Sequence, residues 1–297
     1  MRAVPSEPAP VRTRPAFNPR RRAGILLALA ALAGASPALA DLGKIRQSGT
    51  LKVAVYKGLS PFSAMAAGQP AGIDVALARA LGKEMGLSVS LLPFDADENM
   101  ADDLRNMVWR GHYLGYGPAD VMLHVPVDRT FMRENDKALI FAPYYRETFV
   151  LVHDRQRLPA VRGWDDLKGQ PTGAEGGSAG ANALLSGARG AERDRVKVYA
   201  SADDALHALF AGEVAAAMTT RASYENALKA SGQSATRFAA VDLPSPLLPA
   251  QGWAVGMAVK SGEEELAESL RKALDAIRRN GELERIFAQY GVSMQAP

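Results

Sequence analysis

Four histidines, His112, His124, His153 and His207, are the side chains of this sequence best suited to bind a metal or carry a proton. No two of them stand at the short separation that zinc sites use, so a metal centre is not expected. An isolated imidazole on a strand is ordinarily a packed, hydrogen-bonded residue. The sequence has no cysteine, which excludes thiolate chemistry and disulfides. It also lacks a Gly-x-Ser-x-Gly elbow and a phosphate loop. Asp95, Asp97, Glu98, Asp102 and Asp103 cluster around an expected helix start, where acids cap the helix and complement its dipole. No catalytic machinery, cofactor or metal site is expected from these residues.

The elements that must hold such a site alternate along the chain. Short β-branched runs at 51–55, 89–94, 121–125, 149–153, 197–200, 215–219 and 253–259 read as strands, with helical patterns between them. That alternation predicts an α/β fold around largely parallel sheets. A helix over 73–85 should end at Gly86, a residue suited to a left-handed cap. Leu266, Leu270, Ala273, Leu274 and Ile277 recur on one helical face, with acids at 263–265 and bases at 278–279 to suit the dipole. Asn280-Gly281 then breaks the chain before a short final helix. Residues 173–180 and 244–252 are rich in turn formers, and the second stretch, with three prolines, reads as a connector.

The first forty residues are an address. Arg20, Arg21 and Arg22 precede an apolar run over 25–32, and Ala38-Leu39-Ala40 supplies a cleavage site. The run is far shorter than the roughly 20 residues of a spanning helix. This leader carries six Arg and one Glu; taking these from 35 basic and 32 acidic residues leaves 29 and 31. The remainder is near neutral and has no basic patch of the kind nucleic acids require. An exported, periplasmic protein is expected.

The order of segments resembles the polar amino-acid branch of the type II periplasmic binding proteins. Ser48 to Val55 is similar to that family's opening strand, and Ser60-Pro61-Phe62-Ser63 to its loop over the ligand. Gly72 to Ala78 resembles its first helix start, and Phe141-Ala142-Pro143-Tyr144-Tyr145 the crossing into the second lobe. Gly252 to Gly291 is similar to the closing block. The resemblance implies a two-lobed monomer with a hinge and an interlobe cleft. Residues 1–40 would be the signal, 41–146 with 253–297 the first lobe, and 147–252 the second. The hinge connectors would lie near 144–149 and 249–253. The partners it implies are a small ligand and an ABC permease in the inner membrane.

It also implies where the ligand is held. Pro126-Val127-Asp128-Arg129 matches the family's arginine stretch, which assigns a ligand carboxylate to Arg129 beside Asp128, since a guanidinium can bond a carboxylate bidentately. Gly177 and Ser178 match its anion-binding helix start. Leu59 takes the place of a stacking aromatic before Phe62, and Thr220 that of the ammonium-binding aspartate. A hydroxyl cannot replace that carboxylate opposite a buried ammonium. The expected ligand is therefore a small carboxylate-bearing molecule other than an ordinary amino acid. An extra aromatic, glycine-rich stretch at 109–118 could add a ring to the site, serve a partner surface, or pack on the sheet. The crossing segments also resemble binding-protein-like accessory factors of quinoprotein dehydrogenases, implying a dehydrogenase or cytochrome partner. Cyclohexadienyl dehydratases share the fold and would need an acid such as Glu175.

Overall fold

The structure, a computed structural model, describes residues 39–297. All but the last two residues of the expected leader lie outside these residues. Helix α1 (Leu39–Ser48) leads into β1 (Thr50–Tyr56), followed by β2 (Gly58–Leu59), β3 (Ser63–Ala66) and β4 (Gln69–Ala71), a small antiparallel sheet. Next come α2 (Ile73–Met85), β5 (Ser88–Phe94), α3 (Met100–Leu104) with a π-helical turn over 105–109, β6 (Val121–Pro126), α4 (Arg129–Glu134) and β7 (Ala138–Glu147). The chain then crosses into β8 (Phe149–Asp154), β9 (Thr172–Glu175), α5 (Ala179–Ser186), β10 (Val196–Tyr199), α6 (Ala202–Phe210), β11 (Ala216–Thr220), α7 (Arg221–Ser231) and β12 (Phe238–Val241). It returns through β13 (Trp253–Lys260), α8 (Glu264–Arg279) and α9 (Glu282–Gln289).

Two five-stranded mixed sheets result. The first has the order β5-β1-β6-β13-β7 and so takes strands from both ends of the described chain; the second, β10-β9-β11-β8-β12, is built from its middle. In each, three neighbouring strands run parallel and the other two pairings are antiparallel. Both faces of the first sheet are covered, and β1 shows how. Leu51, Val53 and Val55 face α2, α8 and α9, while Ala54 and Tyr56 face the helix at 100–109. The period of two sends alternate residues to opposite faces, and here both faces are apolar because helices lie on each. Likewise β8 turns Leu151 toward the cluster around α5 and Val150 and Val152 toward the one around α6 and α7. Gly86 caps α2 in the left-handed region at φ 68°.

Among the described residues no helix is long and apolar enough to cross a membrane.

Candidate ligand-binding cleft

The two crossings between the sheets lie against one another. β7 ends at Glu147 and β8 begins at Phe149, while β13 begins at Trp253, paired with Glu147 in the ladder. Gly252 makes this possible: at φ 65°, a Cβ there would stand 1.8 Å from the Glu147 carbonyl oxygen. Beside this crossing opens a cleft of about 730 Å³ whose walls come from both lobes. Its size suits a small molecule.

Three strands of the first lobe are irregular where they reach the cleft. The register of β13 shifts between Gly256 and Met257 against β6, leaving His124 as an extra residue at φ 61°. Against β7 the same point of β13 faces a bulge containing Ala142 at φ 49°. A Cβ on Gly256 would come 2.5 Å from the Phe141 carbonyl oxygen, so a side chain is excluded there. Bulges re-aim side chains at the ends of sheets, and a non-glycine residue at positive φ costs about 1–3 kcal/mol that its surroundings must hold. Here the bulge sends the His124 ring to the cleft wall, 4.2 Å from the Phe62 ring.

A buried network fixes that imidazole. The His124 amide donates to the Tyr144 hydroxyl at 3.0 Å, and that hydroxyl donates to Asp74 Oδ1 at 2.6 Å. His124 Nδ1 stands 3.2 Å from Asp74 Oδ2, an electrostatic contact without hydrogen-bond alignment. Burial, with Asp74 alongside, holds the Tyr144 hydroxyl well above its usual pKa, so it stays a donor.

Glu147, at the end of β7, is 3% exposed and lines the cleft. Its Oε1 has no hydrogen-bond partner. Burial pushes this carboxyl up to about 7, against the weaker pull of His124 and of a hydrogen bond with Thr220. Asp103 and Glu175 are raised in the same way by burial, Glu175 also by Asp203. Asp95, Asp97 and Asp203 complete the acids of the wall, and among the described residues no lysine or arginine lines it. The aromatic lining includes Phe149 and Trp253, their ring centroids 5.3 Å apart.

Of the ligand-binding residues expected from the resemblance, Leu59, Phe62, Ser178 and Thr220 line the cleft, as do Glu175, His124 and the acids Asp95, Asp97 and Asp103. Ser178 caps α5 by accepting from the Ala181 amide at 3.0 Å and donates to the Glu175 carbonyl at 2.7 Å. Thr220 caps α7. Arg129, Asp128 and Gly177 do not line it, and all three are exposed. The Asp128 carboxylate is occupied by the Thr130 and Phe131 amides, both at 2.9 Å, as the cap of α4, and Arg129 is that helix's first residue. The 109–118 stretch also stays outside the cleft. His112 stacks on Tyr116 at 4.3 Å and packs Tyr113 at 4.3 Å, leaving Tyr113 88% exposed. Glu147 is the site residue with no expectation attached in the sequence, and His124, expected only as a packed strand histidine, reaches the cleft wall. A glutamate between the aromatic pair 144–145 and the apolar run 149–152 is the available signal.

Comparison with solved structures gives this arrangement its fold. An ancestral cationic amino-acid solute-binding protein superposes with a TM-score of 0.66 over 85% of this chain and 100% of its own, at 19% identity. An ancestral arginine-binding protein bound to arginine gives 0.56 at 23% identity, covering 82% and 98%. A substrate-binding protein of an ABC uptake transporter from Streptococcus pneumoniae, with bound histidine, gives 0.62 at 17%, covering 85% and 98%. This is the two-lobed periplasmic binding-protein fold. No family model and no curated protein matches the sequence.

Proposed function

We propose that this chain is an exported solute-binding protein, which closes its lobes on a small polar molecule and presents it to an ABC permease at the inner membrane. The observation that carries this reading is the cleft itself, walled by both lobes with the two chain crossings paired beside it. Hinge closure about such crossings is how two-lobed proteins bury a ligand. The structural neighbours, a cationic amino-acid solute-binding protein, an arginine-binding protein bound to arginine and a transporter substrate-binding protein with bound histidine, are of the same kind. Leu59, Phe62, Ser178 and Thr220 serve as walls. The carboxylate grip expected at Arg129, with Asp128 and Gly177, is the part of the sequence reading that the cleft geometry does not support.

A thermal-shift panel of amino acids, organic acids and amines tests the reading: a ligand that binds only the folded protein raises its melting temperature by mass action. Failure of every compound to shift the transition, or turnover of prephenate or arogenate, would remove it. Arg129→Ala should leave the affinity of any hit within about twofold, because an exposed charge outside the walls contributes little; abolished binding would return the site to Arg129.

The accessory-factor reading is favoured by one observation, the exposed Tyr113 and Leu114 at the tip of the 109–118 loop. It predicts co-purification with a quinoprotein dehydrogenase or its cytochrome, lost on Tyr113→Ser.

A further inference from the structure

Six carboxyl groups line the cleft, those of Asp95, Asp97, Asp103, Glu147, Glu175 and Asp203, and His124 is the sole basic side chain among the lining residues. Three of these acids, Asp95, Asp97 and Asp103, have side-chain partners inside the protein. Lys57 Nζ meets Asp95 at 2.7 Å. Asn106 Nδ2 donates to Asp97 at 2.9 Å, and Asp103 accepts from the Tyr56 hydroxyl and the Asp97 amide, both at 2.8 Å. Acids satisfied in this way are structure.

Glu147 is different. Its carboxyl is almost wholly buried, faces the cleft and leaves Oε1 without a donor. Thr219 Oγ1, on β11 beside Thr220, is likewise buried on the wall without a partner. Leaving a buried acceptor unmet costs about 1–3 kcal/mol, more when it is charged. The nearby imidazole of His124 is held by Asp74 and the Phe62 ring, and no hydrogen bond joins it to Glu147. Oε1 is therefore free to accept from a donor that enters the cleft. Next to Glu147 in the ladder and along the chain stand Trp253 and Phe149, aromatic faces that attract cations and cover methylene groups. A ligand anion would instead meet a wall with no guanidinium or ammonium among its residues.

We propose that the cleft takes a small organic cation, an ammonium or guanidinium on an apolar body, with Glu147 as its buried counter-ion and Phe149 and Trp253 flanking the body, and requires no carboxylate of the ligand. This rests on the reading of the cleft as a solute site. It goes beyond amino-acid capture, because an amine lacking any carboxylate satisfies every wall described.

Isothermal titration of the mature chain with 1,4-diaminobutane, agmatine, arginine and succinate tests it, in wild type and in Glu147→Gln. The amide keeps the side chain's shape and removes a buried charge, so the variant should fold; its circular dichroism and melting temperature check this, and Glu147→Asp gives a second variant that keeps the charge. The two carboxylate-free amines should bind wild type. Glu147→Gln should weaken them by roughly 30-fold or more, the scale of removing one partner of a buried charge pair. Glu147→Asp should retain part of the affinity. Succinate should not bind. Equal amine affinity in wild type and Glu147→Gln would overturn the proposal. Binding of succinate or arginine without binding of either amine would overturn it too, while leaving solute capture standing. Silence from these four compounds and from the wider panel would remove both.

Discussion

Glu147 takes its character from its place between two chain crossings. The same glutamate on an open strand would titrate near 4.5; here burial carries it to about 7. Facing it are His124 on β6 and Thr220 at the end of β11, which favour the charged form, and Asp74 on α2, which opposes it, with the Tyr144 and Tyr145 hydroxyls on its own strand. The sign of the stability effect follows. A carboxyl whose folded pKa lies above its unfolded value binds more protons when folded, so ionising it costs stability. That penalty is absent below about pH 4.5, grows as pH rises toward 7 and is constant above, reaching about 3 kcal/mol as an order of magnitude. Glu147→Gln should therefore be more stable than wild type at pH 8 and lose most of that advantage by pH 5. Urea midpoints at the two pH values measure this, and an advantage independent of pH would contradict it. Tyr144→Phe should cost about 1–3 kcal/mol in the same assay, because Asp74 Oδ1 would lose a buried donor and the His124 amide its acceptor.

Regular segments were legible in the sequence where periodicity stood alone. The helix over 73–85 and the strands near 51–55, 89–94 and 121–125 appear with their expected patterns, since apolar spacing and a glycine cap decide them locally. β7 was passed over. Its sequence, ALIFAPYYRE, contains a proline and no alternation, because both faces are covered and a bulge interrupts it. β9, with the sequence TGAE, and β12, FAAV, are short and poor in β-branched residues, and tertiary pairing makes them strands. The cleft suffered most from this. Ser178 is legible as part of a helix start, but the aim of His124 depends on the register of β13, more than a hundred residues farther on. Gly252 shows how narrow the tolerance is at that return. Gly252→Ala would place a methyl group on the Glu147 carbonyl at a positive φ, and should destabilise the fold by about 1–3 kcal/mol or more. A denaturant midpoint unchanged from wild type would show that the crossings are not so tightly apposed.

Neither lobe is joined to the other by strand crossings alone. α7 reaches across to the end of α9: Asn226 Nδ2 donates to the Tyr290 carbonyl at 2.8 Å, and Lys229 Nζ to the Ala288 and Gln289 carbonyls at 3.0 and 2.9 Å. The Ser293 amide donates to Glu225 Oε2 at 2.6 Å, and the Ser223 hydroxyl to the Ser60 carbonyl at 3.3 Å. Each such bond contributes about 0.5–1.5 kcal/mol, so together they are comparable with a substantial part of a domain's net stability. Moreover, the first sheet needs β13, which follows the whole second sheet in the chain, so its folding waits on closure of that long excursion. The two lobes should accordingly unfold as one cooperative unit. Trp109 in the first lobe, Trp164 in the second and Trp253 at the crossing allow a direct check by fluorescence of single-tryptophan variants beside far-ultraviolet circular dichroism. Coincident urea transitions are expected. A cleft ligand at 100 times its Kd should shift them together by about 2.7 kcal/mol. Two separated transitions, with only one responding to ligand, would mean that the bonds between α7 and α9 do not couple the lobes and that the cleft belongs energetically to one of them.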